Sequence, residues 1–177
     1  MLEFFSRSIP ECGTNLVFDP DNALFVDREH LRLGSNVYIG PAVYLIGPIS
    51  IGDDVLIAPN VSILATNHEF MVVGCAIRAS GQSDTKGVVV GDDVWLGYGA
   101  TLMPGVHIGQ GAVVGARSFV KDSIPPYVVA TGSPCRPIRL RFTDTELLEH
   151  LRLRGMAPAD AEILIQERRG ALANLHG

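Results

Sequence analysis

One histidine and one basic segment are the groups best placed to do chemistry. His68 follows Asn67 and opens an excursion that ends in the polar run Ala79-Ser80-Gly81-Gln82-Ser83-Asp84-Thr85-Lys86-Gly87. Imidazole titrates near neutral pH, so it can take the proton of a weak nucleophile such as an alcohol while that nucleophile attacks. A general base needs a rigid support and an open cleft, and the root of a loop leaving a scaffold offers both. Between residues 117 and 141, Arg117, Lys121, Arg136, Arg139 and Arg141 face Asp122 alone, a local charge of +4 on a chain whose net charge is −5. A compact basic stretch on an acidic protein suits one anionic ligand of limited size, because guanidinium groups hold phosphates through paired hydrogen bonds. The acidic balance argues against general nucleic-acid binding.

The other histidines carry no ligand pattern. His107 lies between Val106 and Ile108 in the outward phase, and His30, His150 and His176 are scattered, so no zinc set is expected. Cys12, Cys75 and Cys135 are odd in number and far apart, which fits passive free thiols in a reducing cytosol. Residues 1–7 lack a basic stretch followed by an apolar one, so a secretory signal is not expected. No apolar run approaches the roughly 18 residues of a membrane span.

The scaffold is written as a six-residue repeat. Leu33, Ile39, Leu45, Ile51, Ile57 and Ile63 form one aliphatic column, and Leu31, Val37, Val43, Ile49, Val55 and Val61 form a second. A further array runs Val90, Leu96, Leu102, Ile108, Val114, Val120, with Val88, Val94, Ala100, Val106, Ala112 and Ser118 beside it. Residues two apart on a strand point the same way, and the glycines after the main column suit a corner. Three short strands and three corners make an 18-residue triangular coil, and stacked coils bury both columns along one axis. The fold expected is mainly β, a parallel β-helix. Its left hand is what hexapeptide repeats are known for, against the usual right-handed crossover. The two arrays are 27 residues apart, not a multiple of six, so residues 66–87 leave the coil as a loop.

Ile51-Gly52-Asp53-Asp54-Val55-Leu56-Ile57-Ala58-Pro59-Asn60-Val61 is followed shortly by Asn67-His68, and then by Val90-Gly91-Asp92-Asp93-Val94-Trp95-Leu96-Gly97. Further on stand Pro104-Gly105-Val106-His107-Ile108-Gly109, Val114-Gly115-Ala116, Lys121-Asp122-Ser123-Ile124-Pro125-Pro126 and Gly132-Ser133-Pro134-Cys135-Arg136-Pro137-Ile138-Arg139. Together these segments resemble the galactoside and maltose O-acetyltransferases of the hexapeptide-repeat superfamily, and the related xenobiotic acetyltransferases. The resemblance implies transfer of an acetyl group from acetyl-CoA to a hydroxyl of a sugar-like or antibiotic acceptor. It makes His68 the catalytic base and places Trp95 and Ala116 along the pantetheine arm. It puts Arg136 and Arg139 near the nucleotide, with Lys121 as a further contact and Glu69 as a partner of His68 or of the acceptor. It implies a homotrimer with sites between neighbouring coils; the expectation of a cytoplasmic location rests on the scattered cysteines and the N-terminal residues. N-acetylation of an amino sugar or nucleotide-sugar, and a non-catalytic scaffold, are the alternatives. The γ-class carbonic anhydrases share the coil but need three histidines, and only His68 and His107 lie in the repeat region.

The domain reading is a lead-in at residues 1–30, the β-helix at 31–140 and a helical tail at 141–177. Thr143-Asp144-Thr145-Glu146 reads as a capping box, Gly155 as the stop of that helix, Pro158 as the start of a second and Gly170 as its end. The expected role of the tail is to close an end of the solenoid or to pack on a neighbour. A DNA-reading helix pair is disfavoured by its short length and mixed charge.

Overall fold

The structure, a computed structural model, describes residue 9 and residues 11–18, 24–26, 28–83 and 86–173. Residues 1–7, Asp84, Thr85 and His176, about which the sequence raised expectations, lie outside the described residues. The strands follow coil by coil. The first coil holds β1 (Glu11–Cys12), β2 (Val17–Phe18) and β3 (Leu24–Val26). The second holds β4 (Leu31–Leu33), β5 (Tyr38–Ile39) and β6 (Tyr44–Ile46), and the third β7 (Ile49–Ile51), β8 (Leu56–Ile57) and β9 (Ser62–Leu64). After the loop come β10 (Val88–Val90), β11 (Trp95–Leu96) and β12 (Thr101–Leu102), then β13 (His107–Ile108), β14 (Val113–Val114) and β15 (Phe119–Val120). The chain ends its strands with β16 (Val128–Gly132) and β17 (Cys135–Leu140).

Stacking gives three faces. The first is β1-β4-β7-β10-β13, the second β2-β5-β8-β11-β14-β16-β17 and the third β3-β6-β9-β12-β15. Every pairing is parallel except β16 with β17. All four columns read from the sequence are buried, Ser118 included, whose hydroxyl donates to the Gly115 carbonyl at 2.8 Å. Ile57 is 0% exposed between Ile39 and Leu96 of the neighbouring coils. Leu56 beside it points outward and is 44% exposed.

The 1–30 segment supplies more than a lead-in. Its described strands form a coil of their own, with Glu11 opposite Arg32 and Val17 opposite Tyr38. That offset is 21 residues rather than 18, so a search in steps of six misses it.

The corner between the first and second faces is an asparagine and aspartate ladder. Asn15, Asn36, Asp54 and Asp93 all adopt positive φ, between 55° and 58°, a conformation these short polar side chains tolerate. Asn15 donates to Asn36 at 2.8 Å, and Asn36 to Asp54 at 3.0 Å.

The tail docks on that corner. Helix α1 (Asp144–Leu153) begins with the expected capping box: Thr143 N–H donates to Glu146 Oε2 at 2.8 Å and Glu146 N–H to Thr143 Oγ1 at 3.3 Å. Gly155, at φ 82°, turns the chain toward α2 (Pro158–Ala173). The second helix runs through Gly170 rather than ending there. An exposed helical glycine costs only about 1 kcal/mol, which burial of Ile165 and the pairing of Arg168 and Arg169 with Asp144 offset. Tyr127, Leu147, Leu151, Ala161 and Ile165 form a second small core. Arg141 Nη1 lies 2.8 Å from Asp93 Oδ2, and Arg154 pairs with Asp54. Arg169 and Arg168 both pair with Asp144. These partners hold the Asp54 and Asp144 carboxyls below the usual range, through the Arg154 hydrogen bond for the first and that of Arg169 for the second. No helix of the described residues is long and apolar enough to cross a membrane.

Candidate active site

His68 stands where the third face hands over to the first. The chain leaves the coil after β9, and the loop root is zipped shut by a short ribbon. His68 forms an antiparallel bridge with Gln82, Glu69 N–H donates to the Gly81 carbonyl at 3.1 Å, and Ser83 N–H donates to the Asn67 carbonyl at 3.0 Å. The Asn67 side chain accepts the His68 N–H at 2.9 Å, and Ser80 Oγ donates to backbone carbonyls on the ribbon and the loop. The backbone of His68 is therefore fixed while its imidazole bonds no described residue. The side chain is exposed and lines a cleft of about 220 Å³ with Tyr44, Ile46, Leu64, Thr66 and Gln82. An exposed imidazole on a fixed backbone beside a cleft has the placement that a general base would need.

Glu69 is committed elsewhere. Its Oε1 accepts the N–H groups of Phe70 and Met71, both at 2.8 Å. That carboxylate shapes the loop tip and makes no bond to His68. Beyond it the loop holds Phe70, Met71 and Val73 out at 62%, 76% and 100% exposure.

The other sequence-derived residues divide between two places. Trp95 points outward from the second face and is half exposed. Its register column continues through Val113 and Val129 to Arg139, about 14 Å at three strand spacings. Ala116 is exposed at the corner where this face meets the third. A side chain on Gly97 would meet the Ala116 nitrogen at 2.7 Å, so that glycine keeps the corner narrow. Lys121 is at the same corner as the loop root, one coil above Met103. Lys121 and Arg136 both pair with Asp122, at 2.8 and 2.7 Å, and their hydrogen bonds hold its carboxyl below the usual range.

In a triangular coil the second face lies opposite the corner between the third and first. His68 and Trp95 thus occupy opposite sides of one protomer, and a single copy does not bring them together. The basic segment is also dispersed. Arg141 is held by Asp93 and the Gly111 carbonyl, with its guanidinium 4.9 Å from the Phe142 ring centre, and serves the tail. Arg117 lies over Tyr98. His107 is exposed, in the outward phase read from the repeat. Among the described residues no group of three His, Cys, Asp or Glu is placed to hold a metal. Burial pushes the Cys135 thiol up, which makes it a poor nucleophile.

Comparison with known proteins places this frame. A galactoside O-acetyltransferase from Lactococcus lactis is 31% identical over 147 residues, which is 82% of this chain and 69% of that protein. Residues 30–65 and 87–122 match the family described as bacterial transferase hexapeptide (six repeats). The chain belongs to this hexapeptide transferase family. The galactoside O-acetyltransferase of Escherichia coli K12 is 39% identical over 127 residues. The match covers 67% of this chain and 61% of that relative, so the chain spans under two thirds of its length. A galactoside acetyltransferase solved in complex with coenzyme A superposes with a TM-score of 0.72 at 32% identity, over 82% of this chain and 71% of that one.

Proposed function

We propose that this hexapeptide transferase moves an acetyl group from acetyl-CoA to a hydroxyl of a sugar-like or antibiotic acceptor. The observation that carries the reading is His68: backbone clamped, imidazole without a partner among the described residues, facing an open cleft on a rigid edge. In the reaction the imidazole takes the acceptor's hydroxyl proton as the oxygen attacks the thioester carbonyl. The carbonyl oxygen becomes an anion, the carbon–sulfur bond breaks, and the departing thiolate takes the proton back from the imidazolium. The acceptor leaves as an ester and the donor as a free thiol.

The working unit is a homotrimer in this reading, with each site between two copies. The corner carrying His68 of one copy meets the second face of the next, which offers Trp95 and Arg139. The apolar loop tip at Phe70, Met71 and Val73 and the outward column Val17, Tyr38, Leu56 and Trp95 are surfaces that association would cover. A cyclic arrangement matches unlike patches and closes after three copies. Trp95 and Ala116 then border the pantetheine arm, while Lys121, Arg136 and Arg139 meet the phosphates. Three free cysteines fit work in the cytoplasm.

Release of free thiol from acetyl-CoA, followed across matched hydroxyl and amine acceptors, tests the reading. Turnover on hydroxyl acceptors supports it. Turnover confined to amines establishes N-acetylation instead, and no binding of coenzyme A leaves a scaffold.

A further inference from the structure

The loop root separates two clefts of different charge. The cleft that holds His68 is walled by Tyr44, Ile46 and Leu64 and carries no carboxylate, lysine or arginine among its described residues. The second, about 630 Å³, lies on the other side of Asn67. It has Met103, Pro104 and Phe119 as an apolar wall and Glu69, Lys86 and Lys121 as its charged groups. Two of these three charges are already engaged, Glu69 by the Phe70 and Met71 N–H groups and Lys121 by Asp122.

Lys86 is different. Its carbonyl accepts the Gly105 N–H at 3.0 Å, and its stem lies along Gly105, where a Cβ would come within 3.3 Å of Lys86 Cβ and Cδ. Its ammonium makes no hydrogen bond or ion pair with any described residue. A lysine whose stem rests on the scaffold, with its head unpaired beside an apolar wall, suits an organic anion: the wall takes the apolar body and the ammonium takes the charge.

We propose that this cleft is an anion subsite, in which Lys86 binds a phosphate or carboxylate of a ligand seated against Met103 and Phe119, with Lys121, still paired to Asp122, as a second ammonium beside it. It deepens the acyl-transfer reading, on which its meaning for catalysis rests. The donor's phosphates and an acid group on the acceptor have the same chemistry toward a lysine, and the experiment separates them.

The full chain is titrated by calorimetry with coenzyme A, with pantetheine and with inorganic pyrophosphate, as wild type, Lys86→Ala, Lys86→Arg and Arg78→Ala. Thiol release is measured in parallel with two acceptors that differ only by a carboxylate. Lys86→Ala is expected to weaken pyrophosphate about fivefold and pantetheine not at all. Lys86→Arg retains most of the binding, and Arg78→Ala, on the exposed loop, changes nothing. A matching rise in the Kd of coenzyme A assigns the subsite to the donor, and a rise in KM confined to the carboxylate acceptor assigns it to the acceptor. Lys86-dependent pyrophosphate binding without any affinity for coenzyme A keeps the subsite and removes the acyl-transfer reading. If Lys86→Ala moves none of the three, or the wild type binds none of them, the proposal is overturned.

Discussion

Separation of His68 and Trp95 onto opposite sides of one protomer makes a quantitative prediction about mixed assemblies. If each site takes its base from one copy and its donor face from the next, His68→Ala and Trp95→Ala damage different halves of the same site. A trimer mixed from the two variants can then rebuild intact sites. A site is whole only where the copy giving the corner carries Trp95→Ala and the copy giving the face carries His68→Ala. With equal amounts and random assembly each condition holds half the time, so roughly one site in four is restored. The variants are expressed separately, mixed after reversible dissociation, and assayed for thiol release from acetyl-CoA. Each alone is expected to be nearly inactive, and the mixture to recover about 25% of wild-type activity. A mixture no more active than the mean of its two components would show that both residues serve a site within one chain, or that no shared site exists. Either result refutes the interfacial arrangement.

Two further outcomes follow from packing and charge. Ile57→Ala removes three buried carbons, worth about 2.4 kcal/mol in transfer and roughly 3–4 kcal/mol with the cavity left behind. Thermal unfolding should fall by roughly 8–15 °C, while Val89→Ala, outward on the first face, changes it by only a few degrees; equal shifts would contradict the coil register. The carboxyls of Asp54 and Asp144 are held below their usual range by Arg154 and Arg169. A depressed folded pKa adds stability that is present above the unfolded value and lost as pH falls through the folded one. The tail should therefore loosen below about pH 4, seen as faster amide exchange in residues 144–173 than in the coils, and Asp144→Asn should remove much of that pH dependence.

How far the sequence reaches depends on how local the determinant is. The core columns were legible because six-residue spacing directly reports which side chains point inward, and Ile57 and Leu96 lie where the period puts them. The loop was legible as the break in register between the two aliphatic arrays. The first coil was not, because the 21-residue offset between Glu11 and Arg32 breaks the period and no aliphatic column marks it. The capping box at Thr143 is a four-residue signal and was readable. The end of the second helix was misplaced, because Gly170 stops a helix only where tertiary contacts do not carry it on. The destination of Arg141 was out of reach, since Asp93 is 48 residues away and meets it only across stacked coils. The same limit hid the engagement of Glu69 by the loop backbone and the lack of a partner for Lys86 among the described residues. Sequence named His68 and Trp95 without showing that the prism sets them on opposite sides.

Replacing the imidazole of His68 asks whether that side chain acts as the base. Wild type and His68→Ala are compared for thiol release from acetyl-CoA with a saturating hydroxyl acceptor, alongside their affinity for coenzyme A. A fall in kcat of about 10²- to 10⁴-fold is expected, with the Kd for coenzyme A and the melting temperature unchanged. Full turnover by the Ala variant would show that His68 is not the base.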